Sequence, residues 1–130
     1  MGKTPLIPHT LLGTPGQLSI SPGVISGGHV FLTGMTGSAA DGSMPYDPEL
    51  QFRNAFSKIA EVLKEANQGL ESVVEMTTYH VEMRKHFDLF DRVRLEVLPA
   101  PYPAWTAVEV AGLRREGALV EIRAIAHLSE

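Results

Sequence analysis

The last third of the chain, residues 99–127, carries the pattern that most narrows the possible folds. Its sequence, PAPYPAWTAVEVAGLRREGALVEIRAIAH, indicates two β-strands joined by a loop, which we interpret as a terminal hairpin. Because side chains alternate between the two faces of a strand, Trp105 and Thr106 lie on opposite faces of the first strand. In the second strand, Glu121 interrupts an apolar run. A carboxylate in such a run has to be paired, hydrogen-bonded or protonated, since burying it bare is costly.

Two amphipathic helices are predicted upstream of this segment. The first begins at Asp47-Pro48-Glu49, where the aspartate suits the N-cap and the proline suits the first helical position. Its apolar residues recur at helical spacing as far as Ala66, and Gly69 is the predicted left-handed cap. A second helix is predicted over residues 85–97, and Pro99 stops it.

Strands are predicted before and between the helices. Residues 1–17 are predicted to be an irregular lead-in, followed by short strands at 18–21 and 24–26. Longer strands are predicted at 29–34 and 72–81. The order of strands, helix, strand, helix and two strands is typical of an α+β sandwich with two helices on one face of a sheet. The other sheet face is apolar in places, so we expect an oligomer to bury it.

Composition excludes several classes of protein. The chain has 130 residues, which corresponds to a single domain over residues 1–130. A formal net charge of −4 argues against a nucleic-acid binder. The absence of cysteine excludes disulfides and thiolate chemistry. No signal peptide and no long apolar run is evident, so we expect a soluble, cytoplasmic protein that does not bind membranes.

The residues alone leave the chemistry open. None of the five histidines has the spacing of a ligand pair, so no metal site is predicted. The turn Gly34-Met35-Thr36-Gly37 either closes a strand or lets a ligand approach the backbone. Glu121 is either paired, for instance with Arg123, or orients a water molecule. Trp105 is either a packing anchor or a surface on which a planar ligand stacks.

Three segments together resemble the RidA family, which is also called YjgF or L-PSP. They are the strand ending VFLTGMTG, the run AFSKIAEVLKEANQGLESVVEMTTYHVEM after Gln51, and Pro-Ala followed by a strand and then VEIRAIA. The resemblance covers nearly the whole chain. It implies a chorismate-mutase-like two-layer α+β sandwich, with a mixed sheet of about six strands and two helices on one face.

The resemblance also implies an assembly and an activity. RidA proteins are homotrimers with small-molecule clefts between subunits, and they hydrolyse reactive imines and enamines to ketones and ammonia without a cofactor. On this pattern Glu121 is the catalytic residue that handles the attacking water. Thr33, Gly34, Trp105 and Thr106 are the expected substrate-binding residues.

One departure from the pattern bears on the substrate. Deaminating RidA proteins carry, directly after Pro-Ala, an arginine that binds the substrate carboxylate, and here that position is Trp105. The family's frequent cysteine is replaced by Ala107, and its tyrosine aligns loosely with Ile20. We therefore expect an imine or enamine that is not a 2-imino acid. One alternative is a non-catalytic trimeric metabolite-binding or chaperone-like protein. Another is an RNA-cleaving translation inhibitor, and the net negative charge of the chain argues against this second alternative.

Overall fold

The structure, a computed structural model, describes residues 2–8 and 19–129. Over these ranges the chain forms six strands and two α-helices in the predicted order. They are β1 (Thr4–Leu6), β2 (Gly23–Ser26), β3 (His29–Thr36), α1 (Pro48–Lys64), β4 (Val73–His80), α2 (Met83–Val97), β5 (Ala104–Glu109) and β6 (Val120–His127). A single turn of 3₁₀-helix, Leu70–Ser72, precedes β4.

The six strands form one mixed sheet in the order β1-β2-β3-β6-β4-β5. β5 runs parallel to β4, and the other neighbouring pairs are antiparallel. The predicted terminal hairpin is therefore wrong, because β6 lies between β3 and β4 and does not touch β5. The physical reason is that α2 forms a crossover connection, which places β5 parallel to β4 at the sheet edge. Period-two alternation defines the faces of a strand but not its neighbours.

Both helices pack on one face of the sheet, as predicted. The apolar stripe of α1 is buried, and Phe90 of α2 packs against two of its aromatic rings, with ring centroids 5.3 Å from Phe52 and 5.6 Å from Phe56. β6 contributes every second residue to this core, namely Val120, Ile122, Ala124 and Ala126. The two-layer α+β arrangement and the mixed sheet are thus confirmed.

The boundaries of α1 show one prediction confirmed and one wrong. Asp47 is the N-cap, and its side chain accepts a hydrogen bond from the Glu49 backbone N–H at 3.3 Å. At the other end the left-handed residue is Asn67, with φ of 57°, whereas Gly69 has φ of −126°. The helix ends earlier than its apolar pattern suggests, and asparagine tolerates the left-handed conformation well enough to close it.

Apart from shifts of one residue at the ends of β2 and β4, the strand boundaries differ in three places from those predicted. β1 lies within the predicted irregular lead-in, and residues 19–21 of the predicted 18–21 strand are not in a strand. The remaining residue of that prediction, Leu18, lies outside the described residues. β3 continues through Gly34 to Thr36, because a register shift between Leu32 and Met35 accommodates the extra residues.

The sheet face opposite the helices carries exposed apolar side chains. Phe31 of β3 is 41% exposed and lies directly across from Ile125 of β6, and Val108 of β5 is 37% exposed. This distribution agrees with the expectation that the face is apolar in places. The expected homotrimer that would cover it stays a prediction.

Candidate functional site

A cavity of about 870 Å³ opens beside the end of β3. Its walls come from β3 at residues 33–36, from the following loop at residues 38–42, from one face of α1, and from the segment that precedes β6. Glu121 of β6 and Ile20 complete the lining. Three of the predicted site residues, Glu121, Thr33 and Gly34, thus meet at one cavity.

The Glu121 side chain packs directly against the backbone of Gly34. A Cβ atom at Gly34 would lie 2.8 Å from Cδ of Glu121, closer than such atoms approach each other in proteins. Glycine at this position leaves room for the Glu121 side chain where it stands, and a larger residue would displace the carboxylate. Glu121 is half-buried, and it forms no ion pair with Arg123 or with any other residue in the described ranges.

Thr33 shapes the cavity wall through its backbone contacts. Its hydroxyl donates to the Ser21 carbonyl at 2.6 Å, and its backbone N–H donates to the Pro22 carbonyl at 2.9 Å. The two bonds tie residues 21 and 22 to β3 and so hold the adjoining Ile20 over the cavity, where its side chain is 61% exposed. Ile20 is the residue that aligned loosely with the family tyrosine.

Gln51 fixes the segment that leads into β6. Its side-chain Nε2 donates to the carbonyls of Pro45 and Gly117 at 2.8 and 2.9 Å, and its Oε1 accepts from the Leu119 N–H at 2.8 Å. Gln51 is 1% exposed, and both the nitrogen and the oxygen of its side-chain amide are hydrogen-bonded. The amide therefore holds the backbone of the segment in which Leu119 stands two residues before Glu121.

Sequence reasoning missed the polar face of α1 that lines the cavity. Lys58 Nζ donates to Ser38 Oγ at 2.7 Å, and Asn54 Nδ2 donates to the Gly37 carbonyl at 3.1 Å. Burial, together with the charge of Arg115, lowers the pKa of Lys58 to about 8. The spacing of residues 54, 57, 58 and 61 marks a polar helical stripe that the sequence displays, although nothing in the sequence says which loop it faces.

Trp105 and Thr106 are not brought to this cavity within one chain. β5 is separated from β6 by β4, and Trp105 faces α2. Its indole stacks on Phe87 at 5.7 Å with an interplanar angle of 7°, and its Nε1–H donates to Thr78 Oγ1 at 2.9 Å. The Arg94 guanidinium lies over the same ring, 4.5 Å from the centroid. Within the chain, Trp105 is a packing anchor.

The Thr78 hydroxyl, which accepts the hydrogen bond from Trp105, also contacts a buried histidine in the core. Its Oγ1 lies 2.7 Å from Nε2 of His80, which is 1% exposed. Since Oγ1 accepts from Trp105, the hydroxyl proton can be donated to an unprotonated Nε2. Burial lowers the pKa of His80 to about 4, in agreement with this neutral form.

Neither metal-binding clusters nor membrane spans were found in the described ranges. No group of three or more His, Cys, Asp or Glu residues there is arranged to hold a metal ion. None of the helices described is long and apolar enough to cross a membrane. The expected cytoplasmic location stays a prediction.

Comparison with known proteins identifies the family. The family model described as Endoribonuclease L-PSP matches residues 16–128. The chain belongs to the L-PSP family, that is, the RidA/YjgF family. The RutC family protein YjgH of Escherichia coli strain K12 is 33% identical over 111 residues, which cover 85% of this chain and 83% of YjgH.

Solved structures of L-PSP family members agree with the fold. A structure of protein YjgH matches with a TM-score of 0.89 at 29% identity and covers 100% of this chain and 99% of that one. RidA from the Antarctic bacterium Psychrobacter sp. PAMC 21119 matches with a TM-score of 0.79 at 26% identity, covering 86% and 90% of the two chains. The resemblance read from the three sequence segments is thereby confirmed.

Proposed function

We propose that this L-PSP family protein hydrolyses a reactive imine or enamine that lacks an α-carboxylate. The observation that carries the proposal is the Glu121 carboxylate, which stands at the wall of an 870 Å³ cavity against the bare backbone of Gly34 and without an ion-pair partner in the described part of the chain. A carboxylate without an ion pair can accept a proton from water, whereas one held by arginine is a weaker base.

The proposed reaction needs only water and the carboxylate. Glu121 accepts a proton from water as the water oxygen bonds to the imine carbon, and the C=N electron pair moves to nitrogen. Glu121 returns this proton to the nitrogen, which gives the neutral carbinolamine. The carboxylate then accepts the carbinolamine hydroxyl proton and passes it to the same nitrogen, the oxygen electron pair forms the carbonyl bond, and the C–N bond breaks. Ammonia leaves, the carbonyl compound forms, and Glu121 is ionised again. An enamine enters the same sequence after taking up a proton at carbon to become the imine.

The proposed substrate preference follows from Trp105, which lies apart from the cavity within one chain and which the expected homotrimer would supply to the cleft from a neighbouring subunit. The family's carboxylate-binding arginine is absent at this position, and the indole that replaces it is held by Phe87, Thr78 and Arg94. The Arg94 side chain does not substitute for the missing arginine, because it already pairs with Asp91 at 2.7 Å. Loss of a buried arginine–carboxylate pair typically weakens binding by about a hundredfold.

The test measures ammonia release above the spontaneous rate. The purified protein is mixed with 2-iminopropanoate or with a diaryl ketimine, which has no carboxylate and survives addition to buffer. We expect acceleration of the ketimine, little acceleration of 2-iminopropanoate, and loss of activity in Glu121→Gln. Glu116→Gln, in an exposed loop position, is the matched control and should keep full activity.

Several outcomes contradict the proposal. Acceleration of 2-iminopropanoate alone would show that the substrate argument from Trp105 is wrong. Full activity in Glu121→Gln would remove the glutamate from the mechanism. If neither imine is accelerated, the cavity belongs to a metabolite-binding or chaperone-like protein. Salt-sensitive RNA cleavage that survives rigorous purification would instead favour the activity named in the family description.

A further inference from the structure

The cavity beside Glu121 collects positive charge on a chain that is acidic as a whole. Lys58, Arg114 and Arg115 all line it together with the two acids Glu61 and Glu121, while the chain carries a formal net charge of −4. In the described part of the protein none of the three cations forms a salt bridge. Lys58 lies within the second of the three segments that resemble the family, whereas Arg114 and Arg115 lie in the loop between β5 and β6, outside those segments.

Two of these cations, Lys58 and Arg115, donate hydrogen bonds to neutral oxygen atoms. Lys58 donates to the Ser38 hydroxyl, and the Arg115 guanidinium donates to the Gly42 carbonyl at 2.5 Å. An ammonium group has three donors and a guanidinium has five, so both keep donors free for a ligand. The contacts fix where the cations stand without neutralising them.

We propose that Lys58 and Arg115 bind an anionic group of the substrate, a carboxylate or a phosphate, at a distance from the carbon that reacts. This inference rests on the proposed function and specifies its substrate class as an imine with a remote acidic group. A charge-assisted hydrogen bond from each cation would hold the anion, which is stronger than a bond between neutral partners. Arg114 stands beside this pair on the cavity wall.

The electrostatics of Lys58 support an anion at this position. Partial burial and the nearby charge of Arg115 lower the pKa of Lys58 to about 8, so the two cations disfavour one another. A negative charge bound between them compensates both the lost solvation and the mutual repulsion. An apolar or cationic ligand in the same place would compensate neither the lost solvation of Lys58 nor the repulsion between the two cations.

The anion site is remote from the reacting carbon because of where its parts stand on the chain. Glu121 packs on Gly34, whereas Lys58 contacts Ser38. Gly34 and Thr36 are already about 7 Å apart along β3, and Ser38 lies two residues beyond the end of that strand. We therefore place the acidic group several bonds from the imine carbon, so that it reaches Lys58 while the carbon stands at Glu121.

Binding measured by calorimetry tests the inference without requiring hydrolysis. The probes are three aryl ketones, which mimic the reaction product: 3-benzoylpropionate, its neutral primary amide and its phosphonate analogue. The protein is the Glu121→Gln variant, alone or with Lys58→Met, Lys58→Arg or Arg115→Gln. Lys64→Met, an exposed lysine at the last turn of the same helix, is the matched control.

The expected result is selectivity for charge that depends on the cavity cations. The carboxylate or phosphonate probe should bind at least about tenfold more tightly than the amide. Lys58→Met and Arg115→Gln should each remove most of that difference, whereas Lys58→Arg and Lys64→Met should retain it. Tighter phosphonate binding would assign a phosphate as the natural group, and tighter carboxylate binding would assign a carboxylate.

Other results would overturn the inference, and they can be distinguished from results that overturn the proposed function. Equal binding of the acid probes and the amide, or no binding of any probe, contradicts the anion site. So does an unchanged preference in folded Lys58→Met and Arg115→Gln. Charge-selective binding in a protein that accelerates no imine would contradict the proposed function alone. Hydrolysis by a protein that binds the probes without regard to charge would contradict this inference alone.

Discussion

Replacing Trp105 by arginine introduces the residue that the sequence comparison with deaminating RidA proteins leads us to expect at this position, and we expect it to destabilise this chain. The substitution removes the stacked contact with Phe87, the hydrogen bond to Thr78 and the guanidinium–indole contact with Arg94. Each of these contacts contributes about 1 kcal/mol. The new guanidinium also stands beside Arg94. We therefore expect the free energy of unfolding to fall by about 3 kcal/mol or more.

Urea denaturation provides the measurement. Trp105 is the only tryptophan of the chain, so unfolding has to be followed by far-UV circular dichroism rather than by tryptophan fluorescence. With a denaturant slope of about 2 kcal/mol per molar urea, a loss of 3 kcal/mol lowers the midpoint by about 1.5 M. Trp105→Phe retains one aromatic ring for the contacts with Phe87 and Arg94 but loses the donor and part of the ring area, so it should lower the midpoint by about 0.5 M or somewhat more, less than Trp105→Arg does.

A second substitution separates repulsion from lost packing. Adding Arg94→Met to Trp105→Arg removes the like charge and should recover part of the loss. The reasoning is refuted if Trp105→Arg leaves the midpoint within about 0.3 M of the wild type, since the indole would then not be the anchor described. It is also refuted if Trp105→Phe is as damaging as Trp105→Arg.

Three further predictions concern residues that support the core and the site. The pKa of His80 is lowered from 6.5 to about 4, so the unfolded chain takes up this proton first as the pH falls. The stability that neutral His80 contributes is therefore complete above pH 6.5 and is lost between pH 6.5 and 4, by up to about 3 kcal/mol. The free energy of unfolding, measured across this window, should fall less steeply with decreasing pH in His80→Phe than in the wild type. Equal dependence on pH in the two proteins would contradict the lowered pKa of His80. Gly37→Ala places a Cβ 2.5 Å from Cα of Gln51 and should cost about 2 kcal/mol or more in thermal unfolding, whereas Gly28→Ala, with no atom within 4 Å, should leave the melting temperature nearly unchanged. Gln51→Glu cannot donate to two backbone carbonyls and should lower the free energy of unfolding by about 3 kcal/mol; a change below about 1 kcal/mol would mean that the amide does not brace the segment before β6.

Local sequence patterns were sufficient to predict most elements of the fold. The Asp47-Pro48 start, the apolar stripe of α1 and the alternation in β6 are all determined by neighbours along the chain. Strand order is not determined in this way. Nothing between residues 109 and 120 reveals that β6 pairs with β3, whose residues lie far away in sequence.

Some residues of the candidate site could also be predicted from local sequence, whereas others could not. Glu121 was singled out because a charge in an apolar strand needs an explanation, and Gly34 because glycine permits close approach. Both were found at one cavity. Lys58 and Arg115 carried no such signal, because a lysine in an amphipathic helix and an arginine in a loop are ordinary surface residues until tertiary structure turns them towards a common space.

The central position of β6 has a consequence for biosynthesis. During translation, β3 and β4 emerge from the ribosome before residues 120–127, and each then presents an unpaired strand edge. The sheet remains in two parts, β1–β3 and β4–β5, until the last strand inserts between them. Closure of the sheet is therefore expected only after residues 120–127 have emerged, and incomplete chains that end before β6 expose two sheet edges to which other chains can add.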